Sequence, residues 1–305
     1  MKIHLAPYLC LILLFCFPAL SYGRFLEILA AGDVTPAWRM SEEPVAVPLF
    51  SVSARERISK ANIFLWNCEA SGPASFSKPN QFLFHADSSL LADFTFQNSV
   101  AITANNHVFD GYQEGAENLL FALDYLKIRH NGLFYIKNGY APLLLTLPPL
   151  PPVYLLAGSP MSQRGSGPDI FAPDYQIIHR HICTLRAQKP DAYIIVYIHD
   201  GDEYAPEPTP RQIQWAEQLA FAGADVIFFS HSHRYGKVVI LKGTPRHTLV
   251  AWSLGNFLFG GNGKWKTHSD VRLLSVLIDT ATGDKYADWI YGMTNNWSFS
   301  LYEIK

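Results

Sequence analysis

Apolar runs that close on small or polar residues recur along the chain as far as Phe257: FLEILAAGD, ANIFLWNCE, SVAITANNH, PVYLLAGS, AYIIVYIHD, ADVIFFSHSH and TLVAWSLGNF. Runs this short, this apolar and this rich in β-branched and aromatic residues predict strands buried on both faces. Two stretches between them keep helical spacing instead. Residues Gln113 to Arg129 bring Leu119, Leu120, Leu123 and Leu126 to one face, and residues Thr209 to Ala222 open on Thr-Pro and close before Gly223. Strands alternating with helices predict an α/β fold in which helices cover a central sheet and the chemistry sits at the carboxyl ends of the strands.

Beyond Asn256 the pattern changes. RLLSVLIDTATGDKYADWIYGM predicts two strands joined by a turn at Thr282-Gly283-Asp284, and NWSFSLYEI a third, so the tail reads as an antiparallel β addition to the same domain. The Pro-rich residues 142–152 read as a loop, as do residues 157–173 with Gly158, Pro160, Gly165, Gly167 and Pro168. Prolines break the run PLLLTLPPLPPVYLLAG, which predicts loop and strand rather than a membrane span.

The amino end follows a third pattern. Lys2, an apolar run from Pro7 to Leu20, and small residues at Ala19, Ser21 and Gly23 give the layout of a signal peptide over residues 1–23, leaving 24–305 as the folded domain. An uncleaved membrane anchor is the alternative, although the run falls short of the ~20 residues that span comfortably. Either way the protein is expected to be exported: periplasmic, secreted or held at the cell surface. Cys10 and Cys16 fall inside this segment. Cys68 and Cys183 remain, and a disulfide between them stands open beside a buried free thiol at Cys68.

Composition narrows the partners. Apolar residues make up 49% of the 305, ample for a buried core, whereas only 16% are charged and the net charge is −2. No strong surface field points to nucleic acid, so an anionic substrate would have to be held by a metal or by local dipoles.

Donor side chains gather at the predicted strand ends: Asp33 in AAGD, Glu69 in NCE, Asn105, Asn106 and His107 in ANNH, His199 in YIHDGDE, and His231 with His233 in SHSH. Hard oxygen and imidazole donors suit Zn²⁺, Mn²⁺ or Fe, and no thiolate cluster suggests a structural zinc site. Each residue alone has an ordinary explanation, since a strand-end Asp commonly caps a helix and a lone His is commonly packed. Their convergence at one end of a parallel sheet is what marks a metal centre. The tryptophans Trp38, Trp66, Trp252 and Trp265 fall near these segments and read as core.

The order Gly32-Asp33, Asn67-Cys68-Glu69, Ala104-Asn105-Asn106-His107, His199-Asp200-Gly201-Asp202-Glu203, Gly223-Ala224-Asp225 with His231-Ser232-His233, and Ser253-Leu254-Gly255-Asn256-Phe257 resembles the CapA, or poly-γ-glutamate capsule biosynthesis, family. That family's fold is similar to calcineurin-like metallophosphoesterases. The resemblance implies metallophosphatase-like central mixed sheets flanked by helices, and two divalent metal ions (Mn, Zn or Fe). It implies Asp33 as a ligand of the first metal, Glu69 as the bridge, Asn106, His199 and His231 on the second, and His233 returning to the first. His107 takes the place of the histidine that protonates a leaving oxygen, with Asp110 and Glu114 as candidates to orient it and a helix-capping Asp110 as the alternative. Asn105, Glu203 and Asn256 are the candidate substrate contacts. Tyr204, Arg211 and Arg234 are further candidates, with solvated loop side chains as the alternative.

Two departures from the phosphoesterase pattern bear on the site, and the first of them weakens the first metal position. The phosphoesterase Asp-x-His opening is here Asp33-Val34-Thr35, so an imidazole is missing. The usual small-Gly-His-His-Pro-His run is Phe229-Ser230-His231-Ser232-His233, which keeps both imidazoles but not the Gly or the Pro. The function implied is an exported metal-dependent hydrolase of phosphoesterase type acting on a cell-envelope or capsule polymer component. The alternative is a non-catalytic accessory protein that binds or helps export a polyanionic polymer such as poly-γ-glutamate, alongside membrane-bound synthesis partners.

Overall fold

Strand β1 (Phe25–Thr35) points Leu26, Ile28 and Ala30 into one core and Leu29 and Ala31 into another, all fully buried, so both faces of its sheet need a cover. The computed structural model supplies those covers. It describes residues 24–35, 48–75, 84–86, 88–161, 167, 169–259, 268–295 and 298–301; the expected signal peptide, Trp38 and Trp265 lie outside them.

After β1 come α1 (Val52–Lys60), β2 (Ile63–Cys68), α2 (Ser88–Leu91), β3 (Ser99–Ile102), α3 (Tyr112–Tyr125) and β4 (Arg129–Asn131), and the four strands pair in parallel in the order β1-β2-β3-β4. Then follow β5 (Phe134–Tyr135), β6 (Leu143–Leu145), β7 (Val153–Gly158), β8 (Ile170–Phe171), α4 (Tyr175–Gln188), β9 (Tyr193–His199), α5 (Pro210–Ala222), β10 (Val226–Ser230), β11 (Val238–Leu241) and β12 (Thr248–Ala251). Six of these strands form a second sheet, in the order β11-β12-β10-β9-β7-β6, parallel at its centre and antiparallel at both edges. Strand β13 (Asn256–Phe259) returns to the first sheet, parallel to the carboxyl end of β1. Strands β14 (His268–Asp279), β15 (Lys285–Asn295) and β16 (Ser298–Leu301) extend that sheet in antiparallel fashion.

The two sheets face each other. Leu26, Ile28, Leu65 and Val100 meet Leu155, Ile195, Tyr197 and Phe228 in a shared core, while Phe64, Trp66, Leu119 and Leu123 pack on the outer side of the first sheet and Ile178, Ile182, Leu219 and Phe229 on the outer side of the second. Helix, sheet, sheet and helix thus form four layers, the expected α/β architecture of mixed sheets flanked by helices. The C-terminal antiparallel addition is also present, continuous with the first sheet.

Local chemistry accounts for the element ends. Helix α5 starts at a capping box between Thr209 and Gln212, carries Pro210 in its first turn, and stops at Gly223, whose φ of 109° is left-handed. Helix α3 ends at Tyr125, short of the expected Arg129, because Lys127 turns to a φ of 56°. Further differences concern elements. The expected loop at 142–152 contains β6, an edge strand, and the one at 157–173 contains the short strand β8. Helices α1 and α4 have no counterpart in the sequence reading, although Tyr175, Ile178, Ile182 and Leu185 are buried on one face of α4 behind an Asp174 cap. Cys68 is buried, Cys183 is exposed, and both are free thiols.

One close approach positions the functional end. The Asp33 N–H donates to the Gly255 carbonyl at 2.9 Å, and a Cβ on Gly32 would lie 1.8 Å from that same oxygen. Only glycine lets β1 and β13 meet there. Gly32→Ala is expected to lower the unfolding free energy by about 3 kcal/mol, since backbone rather than a side chain must give way. Urea unfolding measures the loss, and one below ~1 kcal/mol would show that the two strands can part without cost.

Candidate metal centre

The carboxyl ends of the parallel strands from both sheets open at the same place. Asp33 lies near the end of β1 in register with Asn67 on β2 and Asn256 on β13, Glu69 follows β2, Asn105, Asn106 and His107 follow β3, His199 ends β9 opposite Ser230 of β10, and His231 and His233 follow β10. Asp33, Glu69 and His199 are fully buried and His231 nearly so.

Their contacts are close. Asp33 Oδ1 accepts from Asn67 Nδ2 at 2.8 Å, and its Oδ2 lies 3.3 Å from His233 Nδ1 and 3.3 Å from the donating His231 N–H. His199 Nε2 is 2.7 Å from Asn106 Oδ1 and 3.4 Å from Glu69 Oε1, and its Nδ1 is 3.7 Å from Asp33 Oδ1. Both oxygens of Glu69 and Nδ1 of His231 are buried with no hydrogen-bond partner. One donor atom from each of Asp33, Glu69 and His199 lies within 4.8 Å of the others, and the same holds for Glu69, His231 and His233.

That geometry fits a divalent cation. A buried carboxylate with neither oxygen satisfied costs several kcal/mol, and the cost falls away when a cation is coordinated. The oxygen and imidazole donors suit Zn, Mn or Fe. Glu69 belongs to both groups, as a bridge would. The two groups overlap further, since Asp33 also lies 3.3 Å from His233, the residue that the resemblance places on the same metal. Asn106 reaches the centre through its contact with His199.

Electrostatics in the metal-free protein prepares two of the imidazoles. Burial pushes the His199 pKa down to about 4, and burial with repulsion from His199 pushes His231 down to about 3, so both stay neutral at pH 7. Burial and the neighbouring Asp33 charge push Glu69 up to about 8. Burial opposes a charge on His233, but its hydrogen bond to Asp33 and the Glu69 charge lift it to about 10. For Asp33, burial favours the neutral acid, yet the His233 hydrogen bond and the His199 and His233 charges hold it well below the usual carboxylate range.

His107 stands beside the centre. Its Nδ1 is 2.8 Å from Asp110 Oδ2, an oxygen that also accepts from Phe84 N–H at 2.7 Å, and the Phe84 ring lies 4.2 Å from the imidazole. Burial works against protonation of His107, but the Asp110 hydrogen bond and the Glu69 charge outweigh it and raise the pKa. The cap of α3 is Gly111, so Asp110 orients His107 rather than starting the helix; Glu114 bonds Ser75 instead.

Other expected contacts fall differently. Asn105 is fully buried, accepts from His107 N–H at 3.1 Å, and donates to Asn67 Oδ1 at 3.2 Å and the Cys68 carbonyl at 2.7 Å, which removes it from substrate and makes it a brace for its loop. Asn256 Oδ1 is 2.8 Å from His233 Nδ1, so the amide orients that ring. Glu203 is exposed at the mouth, near enough for its charge to act on Glu69 and His231, and the Tyr204 ring is 5.8 Å from His233. Arg211 is held by Asp200, whose Oδ2 is 3.2 Å from its Nε, and Arg234 is exposed. Asn67 was missed by sequence reasoning, although it opens the Asn-x-Glu motif; its Nδ2 reaches Asp33 and lies 3.0 Å from His199 Nδ1. His231 and His233 adopt left-handed backbone, φ 103° and 58°, a strain of about 1–3 kcal/mol each that this turn retains.

These shifts set a pH profile for the metal-free protein. From pH 6.5 to 8 the folded chain keeps protons on Glu69 and His233 that ordinary Glu and His, at 4.5 and 6.5, have lost, so stability falls as pH rises. His199 and His231, depressed to about 4 and 3, lose their contribution as pH falls from 6.5. With chelator present, denaturant unfolding is expected to show greatest stability near pH 6.5, and Glu69→Gln to flatten the alkaline limb. Stability that climbs from pH 6.5 to 8 contradicts the assignment.

Comparison with known proteins adds a family. The family described as "Bacterial capsule synthesis protein PGA_cap" matches residues 27–261, which include every residue of the centre. The "PGA biosynthesis protein CapA" of Bacillus subtilis (strain 168) is 29% identical over 173 residues, 53% of this chain and 42% of that protein. The "Capsule biosynthesis protein CapA" of Bacillus anthracis is 36% identical over 66 residues, 22% of this chain and 15% of that protein, so the matches span less than half the length of either relative. Among solved structures, the Thermus thermophilus sulfate thiohydrolase SoxB aligns at a TM-score of 0.49 and 13% identity over 88% of this chain and 56% of its own. The Candida albicans 5'-nucleotidase aligns at 0.49 and 10% over 87% and 51%. With that profile running from β1 through β13 and the CapA motifs meeting in one buried centre, the chain belongs to the bacterial capsule synthesis, or CapA, family.

Proposed function

We propose that this chain is an exported metal-dependent hydrolase of phosphoester type, acting on a cell-envelope or capsule polymer component. The observation that carries the reading is Glu69, whose two buried oxygens have no partner in the protein and which is shared by two donor groups. A bound divalent cation supplies Lewis-acid polarisation of a phosphoryl oxygen and a water of lowered pKa. The chain's own residues supply the rest. Asp33, Glu69, His199, His231 and His233 hold the cation or pair of cations, with Asn106 as an added oxygen donor. His107, whose protonated form the Asp110 hydrogen bond favours, delivers a proton to the leaving oxygen. Glu203 and Tyr204 border the entrance and contact the substrate beyond the reacting group. Residues 1–23 direct export, so that the folded chain works outside the cytoplasm.

A second reading is favoured by Thr35, fully buried where the phosphoesterase pattern has an imidazole. In that reading the centre is a binding site, and the chain assists assembly or export of an anionic polymer such as poly-γ-glutamate without turning it over.

Elemental measurement of the purified protein is expected to find near-stoichiometric Mn, Zn or Fe, lost in Asp33→Ala and His231→Ala together with on the order of 10³-fold of the cleavage of a chromogenic phosphodiester. His107→Ala is expected to keep the metal and to lose ~10²–10⁴-fold in rate. Metal content near zero after careful preparation sinks the first reading. Polymer binding that persists in the ligand variants, with no ester hydrolysed, favours the second.

A further inference from the structure

The partners of His199 leave its proton a choice. Asn67, Tyr197 and Ser230 are fully buried with His199, and Asn106 is half-buried at the edge of the core. Nε2 faces Asn106 Oδ1 at 2.7 Å, and Nδ1 faces Asn67 Nδ2 at 3.0 Å and Ser230 Oγ at 2.8 Å. Ser230 is also within hydrogen-bonding reach of the Tyr197 hydroxyl, which donates its own hydrogen to the Ala31 carbonyl at 3.2 Å.

With no cation bound, His199 is satisfied when Nε2 carries the proton: Nε2–H donates to Asn106, and the one lone pair of Nδ1 is shared by Asn67 and the Ser230 hydroxyl, whose single hydrogen is then turned away from the Tyr197 oxygen. A cation requires the opposite tautomer, because the atom 3.4 Å from Glu69 is Nε2 and a metal ligand must present a lone pair. Nδ1 then carries the proton and needs an acceptor. Asn67 cannot serve, since its Nδ2 is a donor already committed to Asp33 Oδ1 at 2.8 Å. Ser230 can: its oxygen accepts from Nδ1–H while its hydrogen rotates onto the Tyr197 oxygen, which has a free lone pair. The proton leaves Nε2 and an equivalent one arrives at Nδ1, so the imidazole itself stays neutral.

We propose that Ser230 is a positioning residue whose rotating hydroxyl lets His199 change tautomer, and so admits a divalent cation at Nε2 without leaving an unpaired polar atom behind. This rests on the metal-centre reading above.

Zn²⁺ affinity, measured by competition with a chelator, tests the inference on the full chain, with the melting temperature of the metal-free form recorded beside it. Ser230→Ala is expected to bind Zn²⁺ ~10–100-fold more weakly, with little change in the metal-free melting temperature, because Asn67 still satisfies Nδ1 there. Tyr197→Phe is expected to show a smaller loss in the same direction. Two-bond ¹⁵N correlation of His199 in the wild-type protein is expected to show protonated Nε2 without metal and protonated Nδ1 with Zn²⁺, and it decides the matter even if the alanine variant does not fold. Affinity in Ser230→Ala within twofold of wild type, or one tautomer in both states, overturns the inference while leaving the metal centre standing. Failure of the wild-type protein to bind Zn²⁺ overturns both.

Discussion

A carboxylate with two unsatisfied oxygens sits where two facing sheets meet, and much of the surrounding structure is organised by it. Glu69 is fully buried, with imidazoles on more than one side and Asp33 close enough to raise its pKa. Such a group is tolerable only if something cationic is brought to it, whether a proton, a charged histidine or a metal. The chain provides for each. His233 carries a charge against Asp33, while His199 and His231 are kept neutral by burial and are therefore free to act as ligands.

Around those donors lies a layer of neutral hydrogen-bonding groups that fixes their orientation. Asn67 holds one oxygen of Asp33, Asn256 holds His233, and Asn105 ties the backbone of His107 to the strand that carries Asn67. Amides serve this role well, because each offers a donor and an acceptor at fixed separation and adds no charge to a core already carrying two carboxylates. The strained turn through His231 and His233 is supported the same way, with the His231 N–H on Asp33 and the His233 ring on Asn256.

The ligands were legible in the sequence because each closes an apolar run, and runs that apolar have few ways to fold other than as buried parallel strands. The tail was legible for a similar reason, since its alternation and its turn at Gly283 specify a hairpin without reference to anything distant. What could not be read is what depends on meeting across the fold. Asn67 reaches His199 from 132 positions away, and nothing local in Asn-Cys-Glu says that the Asn will brace a histidine on another sheet. Asn105 looked like a substrate contact because it neighbours Asn106, and only its full set of internal bonds shows otherwise. Helix α4 is a different case. Its buried positions follow helical spacing, but His179, His181 and Thr184 between them blur the apolar stripe.

The donors come from Asp33 near the start of the fold to His233 after β10 of the second sheet, with no pair of neighbours sufficient alone. A ribosome must therefore deliver most of the chain before the centre exists at all, and a partly made chain has no cage in which to carry an ion. Loading of such a centre would consequently be a late event that follows assembly of both sheets. A cation bound there would be drawn from the compartment in which folding finishes, so the supply of metals there, as much as the donors themselves, would decide which element it is.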